Sequence, residues 1–285
     1  MGGAVNSKLD LVESADCTEF LQWALPLRGL RWAGFRKVRS QVCKRLTRRM
    51  RDLGLSDFNA YRGRLGTDPS EWLVFDACCH ITISRFFRDR GIFEVVRGTV
   101  LPEIAARAKH ERRAAQVWSA GCASGEEPYT IRLLWDLEVA PACPGVSLSI
   151  LASDIDQAML ARAREGCFEP TSLRELPQQL IEQAFSRKDS QYCVKPEHRE
   201  GIAFVEQDLS AKMPTGTFDL VLCRYLAFTY FASPLQQRVL AGLLRRLRPS
   251  GFLVIGAHER LPVQAPELAA LERAPQVFRK RPSSG

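Results

Sequence analysis

Hydrophobic positions in the first third of the chain recur at spacings of three and four. Phe35, Val38, Val42, Leu46, Met50 and Leu53 form one such series, and this period predicts an amphipathic helix. Gly54 follows it as a stop signal. Residues 57–65 and 70–79 predict two further short helices, with Trp72, Phe75, Phe86 and Phe87 as aromatic bulk. From Phe86 onward the rhythm changes. A helical pattern over 91–107 leads into a short apolar run at 116–120. A second helical pattern follows, with Ile131, Leu133, Leu134 and Leu137 as its apolar positions. Further β-rich runs stand at 146–152, 218–223 and 252–256, with a helix over 234–247 and a turn at 248–251 between the last two. Residues 276–279 read as a strand that closes the sheet at its edge. Short buried strands alternating with helices predict a parallel sheet covered on both faces. The fold class is therefore α/β, a Rossmann-like doubly wound domain, preceded by a small all-helical domain. The boundary falls near residue 83, giving domains 1–83 and 84–285. Residues 170–207 break the alternation, with a short helix and candidate strands at 191–194 and 202–207.

The length of 285 residues allows one large domain or two modest ones, each with a sizeable core. Hydrophobic content of 46% and charged content of 25% are ordinary for a soluble protein. No run is long enough to predict a transmembrane helix. The first eight residues lack the apolar core of a signal peptide, and Asn6 stands where a myristoylation signal wants Ser or Thr. The nine cysteines are scattered and include no C-x-x-C pair, which predicts reduced thiols, no metal site and a cytoplasmic location. The net charge of +8 is unevenly placed: residues 28–51 hold ten Lys or Arg and no Asp or Glu. Lys37, Lys44, Arg48 and Arg51 fall on one side of the predicted helix. Such a stripe attracts an anionic partner.

The most informative segment is Val117-Trp118-Ser119-Ala120-Gly121-Cys122-Ala123-Ser124-Gly125-Glu126-Glu127-Pro128-Tyr129. It reads as strand, glycine turn and helix, the unit with which an open α/β sheet makes room for a nucleotide-like ligand. Gly121 and Gly125 let the backbone approach that ligand closely. Glu126 and Glu127 stand at the helix start, where a phosphate loop would avoid negative charge. They argue for a ligand that carries an amine or a cation, and S-adenosylmethionine carries both. Ligands in such sheets lie beyond the carboxyl ends of the strands. Asp154 follows the second strand there and can accept hydrogen bonds from ribose hydroxyls. Asp156 fits the role of helix cap.

The same segment resembles the cofactor loop of the chemotaxis-receptor glutamate methyltransferases (CheR type), S-x-x-S/T-G-E-E-P-Y-S. Ile83-Ser84-Arg85-Phe86-Phe87-Arg88-Asp89 resembles that family's T-x-F-F-R-[DE] segment. Ala152-Ser153-Asp154-Ile155-Asp156 with Leu160, Ala161 and Ala163 resembles its S/T-D-I-D-x-x-x-L-x-x-A helix. Phe218-Asp219-Leu220-Val221-Leu222-Cys223-Arg224 resembles its F-D-x-I-x-C-R strand. The resemblance runs from about Arg36 to the C-terminus. It implies S-adenosylmethionine-dependent methylation of receptor glutamates, and a small antiparallel β insertion, about 188–207, that grips the receptor. It also implies roles for particular residues. Glu127 would take the methionyl ammonium, and Asp154 the ribose. Asp208 and Leu209 would lie beside the adenine. Thr82, Ser84, Arg88, Gly121, Arg224 and Tyr225 would line the rest of the cofactor site. Arg88 and Tyr230 would serve catalysis, Arg88 by contacting carboxylates and Tyr230 by orienting the attacking oxygen. The basic helix would face an acidic helical substrate.

The chain departs from the family pattern around the transfer centre. Tyr225 stands where the family has Asn, and the run 224–231 is one residue longer. Thr82 replaces an Asn, Ser84 a Thr, and Gly256-Ala257-His258-Glu259 stands for G-H-S-E. The Tyr225 ring is expected either to stack on the adenine or to fill part of an acceptor pocket. His258 can act as a base for an acceptor less acidic than Glu. These departures leave a small-molecule acceptor and a non-catalytic cofactor-sensing module as alternatives. A nucleic-acid modifier is argued against by the missing D-P-P-Y and N-P-P-Y motifs, and Cys143 precedes Pro144 where a cytosine methylase needs the reverse. Oligomeric state is not legible.

Overall fold

The computed structural model describes residues 16–282. The N-terminal run 1–8, considered above for targeting signals, lies outside the described residues. The chain divides into two compact units. One comprises Met1–Ile81 with Thr229–Ser233, the other Thr82–Phe228 with Pro234–Gly285.

The first unit is helical, with helices over 16–27, Trp32–Phe35, Arg39–Asp52, Phe58–Thr67 and Glu71–Cys79. The apolar series at the front of the chain spans two of them. Phe35 belongs to the short helix, and Val42, Leu46 and Met50 form the buried face of the longer one. Between them Val38 leaves helical geometry, at φ −111° and ψ 6°. Asp57 caps the next helix by accepting the Ala60 N–H at 2.8 Å. The core holds Glu71, which is only 2% exposed. Arg49 grips its carboxylate with two hydrogen bonds, at 2.9 and 2.6 Å, and the Tyr61 hydroxyl donates a third at 2.9 Å. A buried carboxylate survives only with partners of this kind. The short segment Thr229–Ser233 packs into this unit: Arg31 N–H donates to the Tyr230 carbonyl at 2.8 Å, and Ala232 N–H to the Gly29 carbonyl at 2.7 Å. A boundary drawn once along the sequence cannot express this return of the chain.

The second unit is built on a seven-stranded sheet. Its strands are β1 (Ala115–Ala120), β2 (Leu148–Asp154), β6 (Ile202–Glu206), β7 (Phe218–Leu222), β8 (Leu247–Val254), β9 (Leu268–Leu271) and β10 (Ala274–Lys280). Their order is β6-β2-β1-β7-β8-β10-β9. The first five pair parallel, and β10 pairs antiparallel with both β8 and β9. A separate three-stranded antiparallel sheet, in the order β3-β5-β4, is formed by β3 (Cys167–Phe168), β4 (Phe185–Lys188) and β5 (Gln191–Val194).

Two strand expectations are corrected here. Residues 202–206 do not belong to the insertion but pair parallel with β2, Ile150 opposite Ile202 through Asp154 opposite Glu206. The small sheet accordingly starts at Cys167 and ends at Val194, not at 188–207. β10 is not the edge of the large sheet either, because β9 lies outside it. In both cases the strand pattern is local but the partner is chosen by long-range packing. The expectation that all cysteines are reduced is also overturned. Cys17 is bonded to Cys43 and Cys167 to Cys193, each pair 26 residues apart in sequence. The second pair stands directly across β3 and β5 in register, a proximity that spacing along the chain conceals.

The chain places β1, β2 and β6 outward to one side, then returns to add β7 and β8 on the other. The reversal lies between β1 and β7, and a crevice opens at such a point beyond the strand ends. Asp219 occupies the opposite end of β7. It is fully buried, and Arg113 holds it with two bonds of 2.7 Å. One strand therefore carries a structural carboxylate at its start and Arg224 just past its end.

Candidate functional site

The β1 segment leads into Gly121, whose φ of +87° suits glycine alone. A side chain there would also meet Leu226, 2.7 Å away. The turn is held from β2: Gly121 N–H donates to the Ser153 carbonyl at 2.8 Å, and Ala123 N–H to Asp154 Oδ2 at 2.8 Å. Asp154 Oδ1 accepts the Asp156 N–H at 3.0 Å, and Asp156 caps the following helix through the Ala158 and Met159 N–H groups. Asp154 thus shapes the loop.

Glu126 and Glu127 begin the helix Glu126–Leu134 and part company there. Glu126 is buried and accepts from the Ser124 hydroxyl at 3.0 and 2.9 Å. Glu127 accepts from the Ser119 hydroxyl at 2.7 Å and from Arg224 Nη1 at 2.9 Å. Arg224, 7% exposed, also donates through Nη2 to Asp89 Oδ2 at 2.8 Å and to the Arg88 carbonyl at 2.6 Å. Burial alone would lower the Arg224 pKa, but Glu127 and Asp89 more than offset it and raise it. Burial works to raise the Asp89 carboxyl, yet the Tyr225 hydroxyl, Arg224 and the Ala257 N–H together hold it below the usual carboxylate range. Asp89 itself sits at φ +64°, behind two buried aromatics, Phe86 and Phe87, that anchor the segment.

Tyr225 follows at φ +55°. Its hydroxyl donates to Asp89 Oδ2 at 2.6 Å and its N–H to Glu259 Oε2 at 2.9 Å. Glu259, 6% exposed, also accepts the Gly256 N–H at 2.7 Å. The Arg88 guanidinium lies 3.8 Å from the centre of the Tyr225 ring. The Arg88 guanidinium therefore occupies one face of the ring. Burial, then the bond to Asp89, pushes the Tyr225 hydroxyl up to about 12.

Arg88, Glu127, Arg224 and Tyr225 thus meet in one cluster, with the loop at Gly121 and Asp154 beside Glu127. Sequence reasoning missed three of its members as site residues: Asp89, Glu259 and Ser119. Asp89 and Glu259 stood inside quoted motifs, and their acidic character was the available signal. Thr82 and Ser84 are half-buried on a stretch without regular structure. Asp208 turns its carboxylate on Ser210, accepting its N–H at 2.8 Å and its hydroxyl at 2.6 Å, while Leu209 is buried. Tyr230 packs in the helical unit, its ring 4.9 Å from that of Phe35. His258 is exposed on a depression of about 570 Å³ shared with Ile255, Leu261 and Gln276.

The cluster has three carboxylates, Asp89, Glu127 and Glu259, against the cations Arg88 and Arg224. Its residual negative charge at the end of β1 suits a cationic ligand, whereas Arg88 suits a carboxylate. A ligand with an ammonium, a sulfonium and a carboxylate satisfies all of these, so the residues present fit S-adenosylmethionine.

Residues 82–277 match the family model described as CheR methyltransferase, SAM binding domain, and residues 37–75 match the CheR methyltransferase all-alpha domain. A probable chemotaxis protein methyltransferase of Rhizobium etli is 33% identical over 233 residues, 79% of this chain and 86% of that protein. The chemotaxis protein methyltransferase of Escherichia coli is 32% identical over 78% of this chain and 76% of its own length. Chemotaxis protein methyltransferase 2 of Pseudomonas aeruginosa is 32% identical, covering 76% and 77%.

Proposed function

Because the chain belongs to the CheR methyltransferase family, we propose that the cluster around Arg224 is the S-adenosylmethionine site of an enzyme that methylates glutamate side chains of a chemoreceptor. The observation that carries the residue assignment is the Asp89–Arg224–Glu127 bridge. It ties the β1 loop to the end of β7 at the switch point of the sheet. Within it Glu127 receives the methionyl ammonium and Arg88 the carboxylate. Asp154 accepts from the ribose, with Thr82, Ser84, Gly121, Asp208, Leu209 and Tyr225 completing the surround.

S-adenosylmethionine, when bound, would supply a methyl group on a positively charged sulfur, which an acceptor carboxylate oxygen would take in line, with the neutral thioether leaving. A glutamate is already ionised at neutral pH, so the chain need supply no base. Its residues have to hold the carboxylate near attack and exclude water, and positioning of this kind supplies about 7–11 kcal/mol of barrier reduction in well-oriented cases. The family resemblance assigns Tyr230 the orienting of the attacking oxygen. The exposed cations Lys37, Lys44, Arg48 and Arg51 attract an acidic helical substrate. Among the described residues no helix is long and apolar enough to cross a membrane.

Calorimetric titration with S-adenosylhomocysteine tests the site. The wild type binds, and Asp154→Ala weakens binding by about 1.5–3 kcal/mol, the worth of a hydrogen bond to a charged group. Labelled methyl groups are then transferred to receptor fragments as base-labile esters. Absence of binding by the wild type overturns the assignment, and label on another amino acid overturns the acceptor.

A further inference from the structure

The backbone at position 225 is left-handed, at φ +55°. Asn tolerates that conformation well, and a bulky aromatic does not. An aromatic kept in a strained conformation is an observed outlier from which a functional reason can be sought. Here the ring is held on every side. Its hydroxyl donates to Asp89 at 2.6 Å and accepts the Ala257 N–H at 3.2 Å. Its own N–H is held by Glu259 at 2.9 Å. Gly256 lies so close that a Cβ there would come within 2.8 Å of the ring edge. The rigid ring carries the Arg88 guanidinium 3.8 Å from its centre, closer than the Arg224 guanidinium at 5.7 Å, with Arg88 Nη1 donating to the Ile83 carbonyl at 2.5 Å. Among the described residues Arg88 forms no ion pair. Its guanidinium sits over an aromatic face, with further N–H groups left to receive a carboxylate.

We propose that Tyr225 is a positioning residue for Arg88, its ring a platform that aims the guanidinium at the carboxylate of the cofactor. This rests on the cofactor site proposed above. The ring replaces the family's Asn with a different device. Asn can bond but cannot stack, whereas Tyr225 adds a cation–π contact and braces its hydroxyl on Asp89. The hydroxyl remains protonated to about pH 12, so the brace to Asp89 persists across the working range.

Two ligands and two variants test it. S-adenosylhomocysteine carries the methionyl carboxylate, and 5′-methylthioadenosine shares the adenosine but lacks the amino-acid end. Tyr225→Asn keeps a residue suited to the backbone and removes the ring; Tyr225→Phe keeps the ring and removes the hydroxyl. Tyr225→Asn is expected to weaken S-adenosylhomocysteine by roughly 3- to 30-fold, the range of a cation–π contact. Methylthioadenosine should be held within about 2-fold of the wild type. Tyr225→Phe should retain most of the affinity for both. In turnover, Tyr225→Asn should raise the cofactor KM more than it lowers kcat. Equal losses for the two ligands would make Tyr225 a general structural support and overturn the proposal. An unchanged affinity of Tyr225→Asn for S-adenosylhomocysteine would overturn it too. Failure of the wild type to bind either ligand would instead remove the cofactor site itself. If Tyr225→Asn does not fold, Tyr225→Leu takes its place in the same comparison.

Discussion

Arg224 shows how much one side chain can organise. It is buried, and it joins two carboxylates that come from segments far apart in sequence, Asp89 and Glu127. Removing either partner leaves a buried guanidinium short of charge. Asp89 also links this cluster to acid stability. Its carboxyl is held low in the folded state by Tyr225, Arg224 and the Ala257 N–H against the opposing effect of burial. A depressed carboxylate contributes stability that is present above its unfolded pKa and is lost as pH falls through its folded pKa. Urea unfolding of the wild type should therefore lose stability steeply below roughly pH 4, the unfolded value for Asp. Asp89→Asn should be less stable at neutral pH and should show a shallower acid limb. Parallel acid limbs for the two proteins would show that Asp89 gains nothing from its partners.

At the scale of the element, the basic helix Arg39–Asp52 divides its charges between two tasks. Arg45 donates to the Cys78 and His80 carbonyls, and Arg49 is locked on buried Glu71. Lys44, Arg48 and Arg51 face solvent. The single stripe read from sequence is thus part framework and part surface. Arg49→Ala strands a buried carboxylate, and it should cost about 2–4 kcal/mol in denaturant unfolding. Replacing Arg48 and Arg51 together by Glu should leave stability within about 0.5 kcal/mol, as surface changes do. The same double variant should impair transfer to receptor fragments, most at low salt, while cofactor affinity holds. Undiminished transfer at low salt would reduce the exposed cations to a solvated face.

For the molecule as a whole, the two units each own a core, the helical one around Phe20, Phe35, Leu46 and Phe75 and the α/β one around the large sheet. Each also owns one disulfide, Cys17–Cys43 in the first and Cys167–Cys193 in the second. Cys78, Cys79, Cys122, Cys143 and Cys223 are free. In denaturant without reductant, thiol titration should find five groups, and nine after reduction. Closing a loop of this size contributes about 3 kcal/mol in the chain-entropy account. Reduction should accordingly lower the denaturant midpoint of the oxidised protein, and nine thiols before reduction would show that neither bridge forms.

Everything that depends on near neighbours in the chain was legible beforehand. The strand–glycine–helix segment at 116–134, the cap at Asp156, and the apolar face of the basic helix follow from φ freedom, local hydrogen bonding and periodicity. That string and the motifs at 152–163 and 218–224 carried the family resemblance, and with it Glu127, Asp154 and Arg224. What tertiary structure decided was pairing. It chose β2 as the partner of residues 202–206, put β9 outside β10, joined four cysteines, and folded Thr229–Ser233 back onto the helical unit. It also brought Asp89, Arg224, Tyr225 and Glu259 together from three separate segments. No local pattern encodes such meetings, because their free energy comes from burying charges and faces that only the complete sheet brings within reach.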